Sequence, residues 1–424
     1  MIGQRYAWNG HILLFEHYLT VSLQNYESLA SSTHNASILD SIQSAAFTIS
    51  LDCASPKDNV EHSRYLWHGD ATEGKAAGLQ NRWVDKPVQF IVFDNAEAGL
   101  MGEHSVMDGT PTARLCDEVL DWLNDPSFDH GTGTFAVEPT PLDWKITPEL
   151  TQAVEVADQA ARDLIGSQEL TFYETSYGKE AVKKFGVSPD SWAQMIIQLA
   201  YRRLLGSDKR QGATYEAATT RKFLKGRTEA IRVVTSESDD WVQSMDDPSA
   251  TPAERKQKFD LATRRHVQVA KRGGSGQGID RHIFGEQKTP LSSYAADLGC
   301  FPGLKLLVEP NEEAPALFSD PLFKRSSYWV LSTSAVFSKH FDVYGWGEVV
   351  PDGFGVPYMT GHDGKLRSSM SLKDMLTGST DRLVYTLTSR KEMSNEKFQK
   401  EIARAADELF QLHSGLASKE KAKL

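Results

Sequence analysis

A mixed α/β fold is what this sequence predicts, and three observations predict it. Val88–Asp94, VQFIVFD, is an apolar run of β-branched and aromatic residues, the pattern of a buried strand. Thr147-Pro148-Glu149 and Ser188-Pro189 each pair an N-cap hydroxyl with a proline suited to the first helical position. Near the C-terminus, Phe398, Ile402, Ala405, Leu409, Leu412 and Leu416 recur at alternating fours and threes, one apolar stripe that must pack on something.

The elements follow in chain order. Residues 38–52, ILDSIQSAAFTISLD, read as a short helix and then a strand. The strand at 88–94 leads into GLMGEHSVMDGTPT, and a helix is expected from Ala113 in ARLCDEVLDWL. VEPTPLDWKITPEL is a proline-containing linker that puts a domain boundary near residue 145. A helix opens at Pro148, and a second runs from Pro189 until Gly206 ends it. KRGGSGQG, 271–278, reads as a flexible loop. YWVLSTSAV and the Val-Val of GEVVPDGFG read as strands that end at turns.

Composition narrows the class of molecule. A chain of 424 residues can form two or more domains with substantial cores, and its 40% hydrophobic and 24% charged residues sit near globular averages. The net charge of −11 argues against a nucleic-acid binder, although a few lysines in one place can still hold a phosphate. Cys53, Cys116 and Cys300 form no C-x-x-C pair, so neither a disulfide framework nor a zinc site is expected. No apolar run reaches membrane-spanning length. The first residues lack a signal-peptide pattern, and Arg5 alone is too little for a mitochondrial transit peptide. The last residues, Ala422-Lys423-Leu424, stand close to the Ser-Lys-Leu peroxisomal address and point to a peroxisomal import receptor and the peroxisomal matrix.

Three groups of residues could carry chemistry. His104, between a strand and a helix, could take a proton from a hydroxyl or thiol, with Asp108 either orienting it or capping the Gly109 turn. No metal-ligand spacing includes His104, so no metal is expected. Lys179 and Lys183, four apart and followed by Asp190, make either a phosphate clamp or a solvated basic turn. Ser332, Thr333 and Ser334 could donate to an oxyanion or serve as ordinary strand residues. Neither Gly274-Ser275-Gly276 nor Gly345-Trp346-Gly347 completes G-x-G-x-x-G, and no P-loop exists.

Taken in order, EHSVMDG, GKEAVKKFGVSPD, ATYEAATTRKFLKGRTEAIR, IDRHIFG, LSTSAV and VVPDGFGVPY resemble the carnitine/choline acyltransferase family from about Ile38 to the C-terminus. The pattern is most like the fungal-type carnitine O-acetyltransferases, without much of their N-terminal region. The resemblance implies the CoA-dependent, chloramphenicol acetyltransferase-like α/β fold. It divides the chain into an unmatched segment 1–33, a partial N-terminal catalytic domain 34–145 and a C-terminal acyltransferase domain 146–424. It implies transfer of a short acyl group between coenzyme A and the hydroxyl of L-carnitine. Coenzyme A is then a substrate, with no cofactor held permanently.

Residue by residue, the resemblance makes His104 the general base, Asp108 its acidic partner and Ser334 the oxyanion donor. Lys179, Lys183 and Asp190 fall on CoA-contacting positions. Tyr215, Thr228 and Arg281 match the positions that hold carnitine's carboxylate, which favours carnitine over choline. Trp346 falls near the trimethylammonium end, where a cation–π contact suits. Tyr344 stands where members that take longer chains are small, so acetyl is expected. Two other outcomes stay open: a binding module for CoA or acylcarnitine without turnover, and a choline or longer-chain carnitine acyltransferase. The missing N-terminal region leads to the expectation of a longer form, which could also be mitochondrial.

Overall fold

The computed structural model describes residues 23–72, 79–131, 139–206, 213–283, 316–338, 340–360 and 381–421. Ala422-Lys423-Leu424, Cys300 and residues 1–22 of the unmatched segment lie outside them. The chain forms two compact units: Met1–Phe172 with Val336–Val349, and Tyr173–Ala335 with Val350–Leu424. They divide after Phe172. The linker near residue 145 is tied within the first unit. Asn35 accepts from the Lys145 amide at 2.9 Å and donates to its carbonyl at 2.8 Å, while His34 Nε2 stands 2.7 Å from the Asp143 carbonyl.

In the first unit, α1 (Thr33–Ser44) precedes β1 (Thr48–Asp52), the helix-then-strand order expected there. Helix α2 (Asn59–Ser63) runs into a π turn at Arg64–His68 before β2 (Gln89–Phe93) and β3 (Ala98–Met101). Strand β1 pairs parallel with β2, and β3 pairs antiparallel with it. Alternation in β2 buries Gln89, Ile91 and Phe93, as a half-buried strand requires. Two cations satisfy backbone carbonyls. Lys86 Nζ donates to Gln43 and Ala45 at the end of α1, and Arg82 donates to Tyr65, Leu66 and the Asp52 carboxylate. Helix α3 (Gly109–Leu123) starts four residues earlier than Ala113, and α4 (Pro148–Gly166) has its predicted Thr147 cap.

Among the described residues the second sheet has six strands in the order β4-β9-β8-β7-β5-β6, and β4 (Gln168–Glu174) crosses the division between the units. The others are β5 (Ala213–Thr219), β6 (Thr228–Arg232), β7 (Trp329–Ala335), β8 (Phe354–Met359) and β9 (Val384–Arg390). Strand β7 runs parallel between β5 and β8, while β6 and β9 pair antiparallel with β5 and β8. Val349-Val350 is not a strand, contrary to the sequence expectation. Gly353 N donates to the Val350 carbonyl at 3.0 Å, closing a turn, and pairing with β7 begins only at Phe354.

Among the described residues this unit also carries helices α5 (Lys179–Lys184), α6 (Pro189–Leu205), α7 (Ser236–Asp246), α8 (Pro252–Gly273), α9 (Pro321–Ser326) and α10 (Asn395–Lys421). Helix α6 is buried on all sides from Ser191 to Tyr201 and packs on α10. Trp192 of α6 and Trp241 of α7 each meet Phe259 of α8 edge to face, with centroids 5.5 and 5.2 Å apart. Each such burial contributes about 1.5–3 kcal/mol.

Two further expectations are corrected. The region 271–278 is not all loop, because α8 continues to Gly273 and the turn begins at Gly274. Lys271 and Arg272 suit the negative end of that helix. The stripe of α10 is buried at Phe398, Ile402, Ala405 and Leu409, but His413 replaces Leu412 as the next buried residue. A true helical period drifts from strict fours and threes, and His413 lies 4.8 and 4.9 Å from the Phe259 and Trp192 rings.

Candidate active site

His104 sits in a short turn between β3 and α3. The Glu103 carboxylate accepts from the Ser105 amide at 2.8 Å and from the Ser105 hydroxyl, which curls the backbone around the histidine. Asp108 occupies the N-cap position of α3 but makes no side-chain cap bond. Its Oδ1 instead stands 3.6 Å from His104 Nδ1, in ion-pair range and longer than a hydrogen bond. The sequence left orienting and capping open for Asp108, and the geometry places its carboxylate beside the imidazole. His104 is 56% exposed and Asp108 17%.

The helix behind this turn is anchored. Ala113 and Cys116 are buried, and burial foremost, then Asp117, pushes the Cys116 thiol up to about 11, far from a nucleophilic thiolate. The returning segment ties to α3 through Ser338 Oγ donating to Asp117 at 2.6 Å and through His340 Nε2, 3.0 Å from Asp121. Gly109 at the start of α3 lies close to Val336, where a Cβ would stand 2.9 Å from Val336 Cγ2 and force it to shift. In the same segment Tyr344 and Trp346 have ring centroids 5.6 Å apart, inclined at 59°. Gly345 between them packs so closely on the Trp67 ring that no side chain fits.

In the second unit, sheet register decides what meets. Tyr215 pairs with Ser332 in β7 and with Arg232 in β6, and Thr219 pairs with Thr228. Paired residues share a face and neighbours alternate, so Tyr215, Thr228, Arg232, Ser332 and Ser334 lie on one face while Glu216 and Thr333 lie on the other. Arg281 comes onto the first face from the end of α8's loop. Its Nη2 donates to the Tyr215 hydroxyl at 2.8 Å and to Thr228 Oγ1 at 3.2 Å, and its Nε donates to the Thr228 carbonyl at 3.2 Å. The guanidinium carbon also lies 5.4 Å from the Tyr215 ring centroid.

Sequence reading passed over the residues that hold Arg281 in place. Asp280 makes a two-pronged ion pair with Arg232 at 2.5 and 3.1 Å, and the buried Glu229 accepts from the Arg281 amide at 3.2 Å. A signal was available in the charged pair Asp280-Arg281, which alone has no orientation. Ser332 and Thr333 are buried and Ser334 is half-buried near the end of β7, facing the side that carries Tyr215.

The lysine pair is split by environment. Lys179 is only 9% exposed at the start of α5, where the Asp381 carboxylate accepts from the Glu180 amide at 3.0 Å. Burial foremost raises the Asp381 pKa, and the hydrogen bonds from the Glu180 and Ala181 amides, with nearby Lys179, oppose that rise. Lys183 is exposed and pairs with Glu180 at 3.0 Å. Asp190, one residue into α6, turns its carboxylate inward, where Oδ1 accepts from the Tyr358 hydroxyl at 2.5 Å.

Comparison with other proteins shows the family. The choline/carnitine O-acyltransferase profile matches residues 19–389. The chain is similar to the mitochondrial carnitine O-acetyltransferase of Saccharomyces cerevisiae, 36% identical over 397 residues, covering 91% of this chain and 52% of that protein. It is 32% identical to human carnitine O-acetyltransferase, covering 78% and 50% of the two chains. It is 33% identical to bovine peroxisomal carnitine O-octanoyltransferase, covering 71% and 47%. The chain thus spans about half the length of the relatives it matches. The wax ester synthase/diacylglycerol acyltransferase of Marinobacter aquaeolei VT8 superposes with a TM-score of 0.40 at 12% identity over 88% of this chain and 81% of that one, too slight a likeness to argue from.

Proposed function

The chain belongs to the choline/carnitine O-acyltransferase family, and from that membership we propose that it transfers an acetyl group between coenzyme A and the hydroxyl of carnitine. The observation that carries the reading is the Arg281–Tyr215–Thr228 cluster on the same sheet face as Ser334. A guanidinium fixed between two hydroxyls suits a carboxylate, which carnitine has and choline lacks.

In the proposed reaction Asp108 faces Nδ1 of His104 and favours the tautomer with its proton there. The Nε2 lone pair then takes the proton from carnitine's hydroxyl as that oxygen attacks the thioester carbonyl. Ser334 donates a hydrogen bond to the oxyanion of the tetrahedral intermediate. The intermediate collapses by breaking the carbon–sulfur bond, and His104 returns its proton to the CoA sulfur. The base and the oxyanion donor each contribute on the order of 10²–10³ in rate. Lys179, Lys183 and Asp190 are assigned to coenzyme A, Trp346 to the trimethylammonium group and Tyr344 to the end of the acyl pocket.

The test is release of free CoA from acetyl-CoA by the purified chain when carnitine is added. His104→Ala should reduce it by about three powers of ten, in line with loss of a general base. Turnover that survives this substitution sinks the assignment. A second reading, a CoA or acylcarnitine binder without turnover, is favoured by the 56% exposure of His104, which leaves the base in water. Calorimetric binding of CoA with no thiol release would select it.

Ala422-Lys423-Leu424 is proposed as a peroxisomal address read by an import receptor. One relative carries a mitochondrial description and another a peroxisomal one.

A further inference from the structure

On the sheet face opposite Arg281 lies a buried chain of polar side chains that reaches Asp190, assigned to coenzyme A, and otherwise takes no part in the proposed reaction. His266 of α8 sets Nε2 2.7 Å from Glu216 Oε2 and Nδ1 2.8 Å from Ser191 Oγ. Tyr358 of β8 donates its one phenolic proton to Asp190 Oδ1 and stands 3.3 Å from Glu216 Oε1. Gln194 Nε2 reaches both the Tyr358 oxygen at 3.1 Å and Thr333 Oγ1 at 2.9 Å, and Thr333 in turn donates to the Tyr215 carbonyl at 2.7 Å. The Glu216 and His266 side chains are 4% and 2% exposed, and Tyr358 is 1% exposed.

Apolar residues of similar volume would fill this space without desolvating an ion pair. Hydrogen bonds differ from apolar packing in holding direction as well as distance. The placement gives that direction a use. Asp190, Ser191 and Gln194 lie in the first two turns of α6, and Asp190 is itself assigned to coenzyme A. Glu216 adjoins Tyr215 on β5, and Thr333 lies between Ser332 and Ser334 on β7. One connected network therefore ties the start of α6 to the two strands that carry the acceptor cluster and the oxyanion hydroxyl.

We propose that Glu216, His266 and Tyr358 act as a positioning unit that holds the start of α6 in register with β5 and β7. What it positions rests on the acyl-transfer reading. Asp190, Glu216 and His266 bring ligand atoms within 4.8 Å of one another, a set that could also suit a divalent metal. Both imidazole nitrogens are already engaged, by Glu216 and Ser191, and Asp190 is engaged by Tyr358, so protons suffice to hold the cluster together.

The experiment uses the full chain carrying Tyr358→Phe, which keeps the ring and removes only the hydroxyl. Loss of the hydroxyl's bonds to Asp190 and Gln194 should raise KM for acetyl-CoA about tenfold and leave kcat and KM for carnitine within about twofold. Hydrogen–deuterium exchange should quicken at residues 186–194 and stay unchanged in the middle of α8. Glu216→Ala should shift the same KM, and Glu216→Gln, which keeps an oxygen toward His266, should recover most of it. Unchanged exchange at 186–194 in Tyr358→Phe overturns the proposal. So does an equal loss in every kinetic constant accompanied by a lower melting point. Stoichiometric zinc in the purified chain, measured by mass spectrometry, also overturns it. A wild-type chain that neither turns over nor binds CoA defeats the acyl-transfer reading, while the exchange measurement still decides the positioning.

Discussion

Arg281 donates to the Tyr215 hydroxyl across 66 residues of sequence, at 2.8 Å, with its guanidinium carbon 5.4 Å from the same ring. The contact fixes both the direction and the height of the cation above the sheet. Asp280, paired with Arg232, keeps the loop from swinging away. A carboxylate approaching this face therefore meets a donor that has already lost its rotamer freedom.

Arg281→Ala should raise KM for carnitine by at least about 30-fold, the equivalent of about 2 kcal/mol from a lost charge-assisted bond. KM for acetyl-CoA should hold steady. Arg281→Lys should recover only part of the loss, because an ammonium cannot replace the planar fork. Initial-rate kinetics with each substrate varied in turn check both outcomes.

Tyr344→Ala should shift preference toward longer acyl groups. If the ring closes the acyl pocket, removing it should raise kcat/KM for octanoyl-CoA relative to acetyl-CoA by at least about tenfold. An unchanged ratio, measured by competition between the two thioesters, removes Tyr344 from the pocket.

The Glu216–His266 pair makes a prediction about pH and stability. Burial foremost, then the nearby Asp190 carboxylate, raises Glu216 to about 7. Burial is also the largest influence on His266 and works to lower it, but the attraction of Glu216, with help from Asp190, leaves it raised. Both groups hold a proton more tightly folded than unfolded, so their stabilisation is present at low pH and is lost as pH rises. For Glu216 the loss runs from about 4.5, its unfolded value, to about 7; for His266 it begins near 6.5 and continues upward. Urea midpoints should fall across that window in the wild type and change less in Glu216→Gln. A wild-type midpoint that rises from pH 5 to 8, less the contribution of other groups seen in the variant, contradicts this.

A fluorescent protein fused ahead of residue 1 should collect in peroxisomes and become diffuse when Leu424 is deleted. Identical distributions with and without Leu424 dismiss the tripeptide as an address.

Local patterns made much of the fold legible. The caps at Thr147 and Ser188, each followed by proline, start helices where expected, and the run at 88–94 contains a strand. Errors came where partners outside the segment decide. Val349-Val350 is apolar enough for a strand, yet the turn to Gly353 delays pairing until Phe354. The stripe of α10 passes from Leu409 to His413 because an aromatic cluster offers the histidine ring a fitting site. His104 and Asp108 were readable together since four residues in sequence can span a turn. Glu216 drew no notice, although a carboxylate in the middle of a strand was a signal of a buried partner.

The sequence by itself determined the order of the motifs, and through strand alternation it determined that Tyr215 and Glu216 face opposite ways. Tertiary structure alone decided what waits on each side: Arg281 and Thr228 for the tyrosine, His266 and Tyr358 for the glutamate. Alternation is a property of neighbouring residues and repeats along the chain. A hydrogen bond between distant elements leaves no period, and it exists only once the sheet and helices have packed.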